Sequence, residues 1–284
     1  MTNNQEAAQA RRWLITGANS GFGSAFARAA LAAGDIVIAG VRRPETMAAL
    51  IAEFPGRITA VQLDVTNAEQ CAQAVKNTVE EHGQIDVLVN NAGYGVVGAI
   101  EETSEEELRG AMEVMFFGAM RLTRLVLPHM RARRSGTIVQ VTSMGGMLSF
   151  PGVGAYSATK GALELASEAL AGEVAPLGIN VLIVEPGAFR TEFAGPSLQS
   201  ANVIEDYEPT VGAVRAALSG SHGQQPGDPA KAAAALLATL ELPELPLRLA
   251  LGEDAVTAIR GKLAAVGADL DATAELSLST AADN

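Results

Sequence analysis

Short apolar, β-rich runs alternate along this chain with longer segments of helical periodicity. Most of the runs are almost continuously apolar, as expected of strands that are covered on both faces. Strands that alternate with helices form right-handed βαβ units, and these build a parallel, doubly wound sheet. The sequence therefore predicts an α/β protein with about seven strands. The strand segments begin at Trp13, Ile36, Ile58, Val87, Thr137, Asn180 and Leu247.

The pattern predicts one domain over residues 11–268. Residues 1–10 are polar and read as an N-terminal tail, and residues 269–284 read as a C-terminal tail that is weakly patterned. Between 187 and 228 glycine and proline punctuate the chain, which indicates a lid-like excursion with short helices.

Composition restricts the partners and the compartment. The formal net charge is −12, which disfavours a nucleic-acid partner because binding to phosphates needs a basic surface. The local basic cluster at Arg131, Arg133 and Arg134 is better explained as the cationic end of a helix that finishes near Met130. Cys71 is the only cysteine and reads as a buried helix residue in a reducing compartment. With no signal-like or membrane-spanning segment, we expect a cytoplasmic protein.

A glycine-rich turn follows the first strand, in the segment Thr16–Gly23 with the pattern TGxxxGxG. Glycines permit a tight turn and the close approach of a pyrophosphate to a helix N-terminus. The pattern therefore predicts a dinucleotide site, although glycine clusters also occur in turns for steric reasons alone. The residues assigned to the cofactor here are Gly17, Asn19, Ser20, Gly21, Phe22 and Gly23.

The end of the second strand bears on the choice between NADP and NAD. Gly40 stands where an acidic residue would accept hydrogen bonds from a ribose, whereas Arg42 and Arg43 can pair with a 2′-phosphate. NADP is therefore favoured over NAD, although two arginines can also simply begin a surface helix. Asp64 and Val65, after the third strand, are expected near the adenine.

A serine, a tyrosine and a lysine form the candidate catalytic set. Ser143 follows the fifth strand, and Tyr156 and Lys160 come next at helical spacing i, i+4. A phenol can donate a proton to a carbonyl, but its ordinary pKa is about 10. A lysine cation at about 4 Å stabilises the phenolate by roughly 4 kcal/mol at an effective dielectric constant of 20. We therefore expect Lys160 to lower the pKa of Tyr156, and Ser143 to orient the substrate oxygen.

Together, the glycine turn, NNAG at Asn90–Gly93, Ser143, YxxxK and Pro186-Gly187 with Thr191 resemble the short-chain dehydrogenase/reductase family over about residues 10–260. The resemblance is to the hydroxysteroid-dehydrogenase-like, single-domain branch. It implies a Rossmann-type domain, a nicotinamide cofactor, a small carbonyl or alcohol substrate, and usually a homodimer or homotetramer built through long helices. Tyr156 would then be the general acid/base, and Lys160 would bind the nicotinamide ribose. The remaining cofactor residues that the resemblance implies are Asn91, Ala92, Gly93, Pro186, Gly187 and Thr191.

One position departs from the family pattern. Met115 stands where family members commonly have an asparagine that holds a water next to the lysine. A thioether has no donor, so it cannot replace that asparagine directly. A cofactor-binding sensor or scaffold with degraded catalysis is therefore an alternative hypothesis, and a non-redox family member is another.

Other polar and apolar residues were assigned roles with less specificity. His82, His129 and His222 lack ligand spacing, so no metal is expected. The acidic run Glu101–Glu107 reads as complementing a helix dipole, with Thr103 or Ser104 as the cap. Apolar side chains around the catalytic set predict a pocket for a nonpolar or aromatic carbonyl compound, steroid- or retinoid-like, or ordinary core. These are Met144, Met147, Phe150, Val153, Phe189, Phe193 and Tyr207.

Overall fold

The computed structural model describes residues 10–195, 198–200 and 202–282, and its centre is the predicted parallel sheet. Seven strands are hydrogen-bonded in the order β3-β2-β1-β4-β6-β7-β9, and every neighbouring pair is parallel. The order reverses between β1 and β4, which is where such sheets bind ligands. The strands are β1 (Arg12–Thr16), β2 (Ile36–Val41), β3 (Ile58–Gln62), β4 (Val87–Asn90), β6 (Gly136–Val141), β7 (Ile179–Pro186) and β9 (Arg248–Leu251).

Helices cover both faces of the sheet. Neighbouring residues of a strand point to opposite faces: Trp13 and Ile15 of β1 pack in one core with Phe26 and Leu236, whereas Leu14 packs in the other with Leu122. The expected double layer is thus confirmed. The helices are α1 (Gly21–Ala32), α2 (Ala48–Glu53), α3 (Ala68–His82), α4 (Glu105–Met112), α5 (Gly118–Arg133), α6 (Gly154–Val174), α7 (Ala213–Gly220), α8 (Pro229–Leu240) and α9 (Glu253–Leu278).

A π-helical segment, Glu113–Phe117, joins α4 to α5. Helix α5 continues past Pro128, which lies inside it, to Arg133, and Arg134 closes it with φ 52°. The predicted end near Met130 was therefore wrong by about one turn, although the arginines do lie at the helix end. Cys71 is buried in α3, as predicted.

The excursion of residues 187–228 contains short helical segments, as expected, and one element that was not predicted. Strand β8 (Leu198–Ser200) pairs in parallel with β5 (Gly95–Val97) to form a separate two-stranded sheet. The pairing ties the excursion, called the lid segment below, to the loop that follows β4.

The C-terminal boundary differs from the prediction. Helix α9 runs without interruption to Leu278, so residues 269–278 are helical and do not begin a tail at 269. Alanine and leucine there are strong helix formers, and this local preference outweighs the weak apolar pattern. The N-terminal tail predicted at 1–10 lies, except for residue 10, outside the described residues. Among the described helices, none is both long and apolar enough to cross a membrane.

Candidate active site

The predicted residues meet in a cavity of about 240 Å³ at the carboxyl ends of β1, β4, β6 and β7. This is the edge at which parallel sheets hold their ligands. The sequence-predicted residues that line the cavity are Gly17, Ser20, Gly21, Phe22, Asn91, Ala92, Gly93, Ser143, Met144, Phe150, Val153, Tyr156, Lys160, Pro186, Gly187, Phe189, Thr191 and Phe193.

The glycine turn leaves space that side chains would fill. Gly17 and Gly21 have φ of +64° and +49°, a region that side chains disfavour. A Cβ atom at Gly23 would lie 2.2 Å from the carbonyl oxygen of Gly17. Ser20 makes no side-chain cap of α1, and the first turn of α1 has no acidic residue. The turn thus presents backbone N–H groups and no competing anion, so it fits a pyrophosphate.

The turn is fixed by the end of β4. The side-chain amide of Asn91 donates to the carbonyl oxygen of Thr16 at 2.9 Å. In return, the hydroxyl of Thr16 accepts from the backbone N–H groups of Asn91 and Ala92 at 2.9 and 3.0 Å. The two cofactor segments predicted from sequence are therefore held against each other across the switch point.

Asn90 is directed into the core and does not line the cavity. Its amide donates to the oxygens of Thr123 and Gln140 at 3.1 and 3.0 Å, both within the protein. It thereby joins β4, α5 and β6 just beneath the cavity floor.

Ser143, Tyr156 and Lys160 converge on one wall. Ser143 follows β6, where its hydroxyl accepts from the N–H of Gly145 at 3.0 Å. Tyr156 and Lys160 lie one turn apart on α6. The ammonium group of Lys160 donates to the carbonyl oxygen of Val141 at 2.8 Å and lies 5.8 Å from the centre of the Tyr156 ring.

Burial dominates the pKa values of the pair. It raises the pKa of Tyr156 to about 12, against a smaller lowering by the hydrogen bond to Ser143. It also lowers the pKa of Lys160 to about 8. The expectation that Lys160 lowers the pKa of Tyr156 is thus not met in this arrangement, because the ammonium group is directed to Val141 and desolvation outweighs its attraction. Tyr156 is a protonated phenol at neutral pH.

Met115 lies in the π-helical segment with 1% of its surface exposed. It packs in a small apolar cluster with Val96, Ala111 and Ala155. A Cβ atom at Gly93 would lie 3.1 Å from its sulfur and 3.7 Å from the nitrogen of Lys160. The thioether therefore stands beside the lysine, at the place where the resemblance implies an asparagine.

The wall facing the catalytic set is apolar. The ring of Phe193 meets that of Tyr156 edge-on, with centroids 5.2 Å apart. Two predicted pocket residues do not line the cavity: Met147 lies beyond the turn after Ser143, and the hydroxyl of Tyr207 donates to Glu101 at 2.6 Å. Sequence reasoning missed four lining residues because they come from the β5–β8 sheet and the lid helices. They are Tyr94, Val96, Leu198 and Leu218.

The remaining predicted cofactor residues lie outside this cavity. Asn19 borders a separate open cleft of about 670 Å³ between α1 and α8, and Gly23 packs beneath the turn. Arg42 and Arg43 are exposed directly after β2. Asp64 accepts from Thr66 at 2.9 Å. The Val65 side chain is buried, and a Cβ at Gly118 would come within 2.8 Å of it.

A buried ion pair in the lid segment was also missed. Glu102 accepts from Arg215 of α7 at 2.8 Å and from the backbone N–H groups of Ala99 and Ile204 at 2.6 and 2.8 Å. These bonds lower the pKa of Glu102, the backbone bond from Ile204 most of all. Glu102 is therefore not a dipole-complementing surface residue as predicted. Ser104 caps α4, with Glu107 completing a capping box.

No group of three or more His, Cys, Asp or Glu side chains in the described part of the chain is arranged to hold a metal ion. The cavity instead combines a phosphate-compatible turn with a phenol, a hydroxyl and an ammonium group. This arrangement suits proton exchange with a carbonyl oxygen beside a bound dinucleotide.

Comparison with known proteins agrees with this arrangement. A family model described as short chain dehydrogenase matches residues 11–202. An oxidoreductase from Botryotinia fuckeliana is 42% identical over 95% of this chain and 98% of its own length. A 3-ketodihydrosphingosine reductase from Bacteroides thetaiotaomicron is 44% identical over 63% of this chain and 64% of its own length.

The solved structure of a short-chain dehydrogenase from Streptomyces avermitilis is 51% identical, with a TM-score of 0.92 over 97% of this chain and 100% of that one. The fold, the matched family and the enzyme names of these relatives agree. The chain therefore belongs to the short-chain dehydrogenase/reductase family and is an NAD(P)-dependent oxidoreductase that acts on CH–OH or C=O groups.

Proposed function

We propose that this protein is an NADP(H)-preferring oxidoreductase for an apolar carbonyl or alcohol compound, with Tyr156 as general acid/base. One observation carries the proposal: Ser143, Tyr156 and Lys160 share a cavity with the glycine turn and with an apolar wall. The cavity thus combines the three parts that the reaction needs, namely a cofactor site, a proton donor and a substrate surface.

The cofactor residues follow from the fit described above. The turn Gly17–Gly23 and the α1 N-terminus would hold the pyrophosphate, and Asn91–Gly93 would flank it. Lys160 and the segment Pro186–Thr191 would border the nicotinamide ribose. The bound nucleotide supplies or accepts the hydride.

The side chains of this chain supply orientation and the proton. Ser143 can donate a hydrogen bond to the substrate oxygen beside Tyr156, which positions the carbonyl. The raised pKa of Tyr156, about 12, keeps its proton in place at neutral pH, so the phenol is ready to protonate an oxygen that gains charge. This state favours reduction of a carbonyl. A neighbouring cation strengthens the donor because it stabilises the phenolate that is left behind.

The preference for NADP rests on Arg42 and Arg43. Both are exposed at the carboxyl end of β2, and Gly40 leaves no carboxylate in that strand end to accept from a ribose. Two guanidinium groups can bind a phosphate through charge-assisted hydrogen bonds.

The apolar wall supports a nonpolar substrate. Val153, Phe193 and Leu198 offer no charge near the reacting position, so burying a charged substrate there would cost solvation energy. The resemblance of this chain to a 3-ketodihydrosphingosine reductase supports a keto group on an apolar skeleton. Steroid-like and long-chain ketones are both of this class.

The deciding experiment measures NADPH oxidation over a panel of long-chain ketones, steroid ketones and short polar aldehydes. We expect turnover with the apolar ketones and a loss of about 10²- to 10⁴-fold in kcat for Tyr156→Phe. Titration of NADPH fluorescence serves as the control, because the Phe variant should retain cofactor binding. Tight NADPH binding without turnover on any carbonyl would overturn the proposal in favour of a sensor, as would an active Phe variant.

A further inference from the structure

Helix α9 extends away from the body of the protein. Only Ala255 is buried among its 26 residues, and Asp254 anchors its first turn by accepting from the N–H of Ala188 at 2.7 Å. From Arg260 onward nearly every residue is exposed. Isolated helices of this length are marginal in water, so packing against a partner would add most of the stability.

The exposed part carries a regular apolar stripe. Val256, Ile259, Leu263, Val266 and Leu270 follow each other at spacings of 3, 4, 3 and 4 residues, which is the a/d pattern of a coiled coil. Leu263 and Leu270 are 57% and 65% exposed. The stripe thus continues from the partly buried base of α9 onto a surface that nothing in the described chain covers.

The charges beside the stripe are divided along the helix. Arg260 and Lys262 lie in the first half, and Asp269 and Asp271 lie in the second half. At about 100° per residue, Arg260 and Asp271 fall on one flank of the stripe, and Lys262 and Asp269 fall on the other.

We propose that the stripe of α9 binds the same stripe of a second copy of this chain, with the two helices antiparallel. In an antiparallel pair the same flank of each helix meets its counterpart. Arg260 then faces Asp271 of the other copy, and Lys262 faces Asp269, so the two-fold axis creates each ion pair twice.

The two kinds of ion pair share one centre. Both require a two-fold axis between residues 265 and 266, and this is also the midpoint of α9, Glu253–Leu278. With the same axis, Leu263 packs against Val266 of the other copy, and Ile259 packs against Leu270. The apolar layers and the charges therefore select one register, which uses the whole helix.

A parallel pair does not fit this distribution. It would place both copies of Arg260 and Lys262 at one level and both copies of Asp269 and Asp271 at another. Like charges at close range destabilise an interface. The charge distribution therefore selects the antiparallel arrangement.

Charge reversal with sedimentation velocity tests the proposal on the full-length protein. The variants R260D/K262D and D269K/D271K should each have half the wild-type mass, because four attractive pairs become repulsive. An equimolar mixture of the two variants should regain the wild-type mass, because each then carries the charges that the other lacks. Leu263→Glu should also halve the mass, by placing a carboxylate in the apolar seam.

The control places charges on the opposite face of the same helix. Ala265→Asp with Ala272→Lys alters two exposed residues and should keep the wild-type mass. Circular dichroism checks that all variants are folded. Unchanged mass in both charge variants and in Leu263→Glu would overturn the proposal; if the wild type then bound phosphatidylcholine vesicles, a lipid surface would be the occupant. Failure of the mixture to recover would overturn the antiparallel register.

Discussion

The ammonium group of Lys160 donates a 2.8 Å hydrogen bond to the carbonyl oxygen of Val141, the last residue of β6. The bond ties helix α6 to the sheet directly beneath Ser143. It also holds a cation in a place where only 5% of the residue is exposed. Burial of the charged form lowers the pKa of Lys160 to about 8.

This lowered pKa predicts a pH dependence of stability. The ordinary lysine pKa is 10.5, so between pH 8 and 10.5 the unfolded chain holds a proton that the folded chain has released. The free energy of unfolding should therefore rise with pH across this window, by at most about 3 kcal/mol. Urea denaturation from pH 7.5 to 9.5 measures it.

Lys160→Met serves as the reference for that measurement. It removes the titrating group from the same buried position, so the wild type should gain stability over the variant as pH rises. Parallel curves for the two proteins would mean that the ammonium group is not desolvated in solution.

The glycine turn makes a steric prediction. A Cβ at Gly23 would lie 2.2 Å from the carbonyl oxygen of Gly17, a backbone atom that cannot move without opening the turn. Gly23→Ala should reduce the free energy of unfolding by about 1–3 kcal/mol and weaken NADPH binding at least tenfold. Chemical denaturation and fluorescence titration measure the two effects.

Gly172→Ala is the matched control for that substitution. A Cβ there meets nothing within 4 Å, and Gly172 lies inside helix α6. Alanine should stabilise the chain by up to about 1 kcal/mol and leave NADPH binding unchanged. Equal effects of the two substitutions would show that the turn tolerates a side chain.

The sheet and the catalytic wall could be predicted from sequence because their signals are local. The apolar run at Ile179–Pro186 and the i, i+4 spacing of Tyr156 and Lys160 need no knowledge of distant contacts. Likewise, the glycine turn predicts its own geometry, since few other residues tolerate the positive φ of Gly17.

The lid could not be predicted in the same way. Glu102 and Arg215 are 113 positions apart, and their pairing depends on how the β5–β8 sheet folds the lid back. Within the sequence Glu102 is one carboxylate in an acidic run, and nothing local separates it from exposed neighbours such as Glu106. The end of α9 failed for another reason: no partner in the chain supplies the apolar contacts that a periodicity argument assumes.

Cofactor preference gives the next prediction. If Arg42 and Arg43 bind a 2′-phosphate, Arg42→Ala should raise the Kd for NADPH by about 10- to 100-fold, the value of a lost charge-assisted hydrogen bond. The Kd for NADH should change less than twofold. Fluorescence titration of both nucleotides measures the ratio, and Arg131→Ala, exposed at the distant end of α5, is the control. Equal losses for NADPH and NADH would refute the phosphate assignment.

The ion pair between Glu102 and Arg215 predicts how the lid is held. Both carboxylate oxygens of Glu102 accept, one from Ile204 and the other from Arg215 and Ala99. Glu102→Gln replaces one acceptor by an NH₂ group, which then faces a donor and leaves it buried without a partner. The lid should open more often, so trypsin should cleave after Arg215 faster than in the wild type, and the KM for the ketone should rise more than kcat falls. Glu106→Gln, an exposed residue of the same acidic run, makes the same chemical change without the buried contacts and should leave both quantities unchanged. Because the Glu102 pKa is lowered, its contribution is present at neutral pH and lost as the pH falls through that value, so wild-type cleavage should approach that of the Gln variant in acid. Identical cleavage of the two Gln variants at neutral pH would show that this pair does not hold the lid.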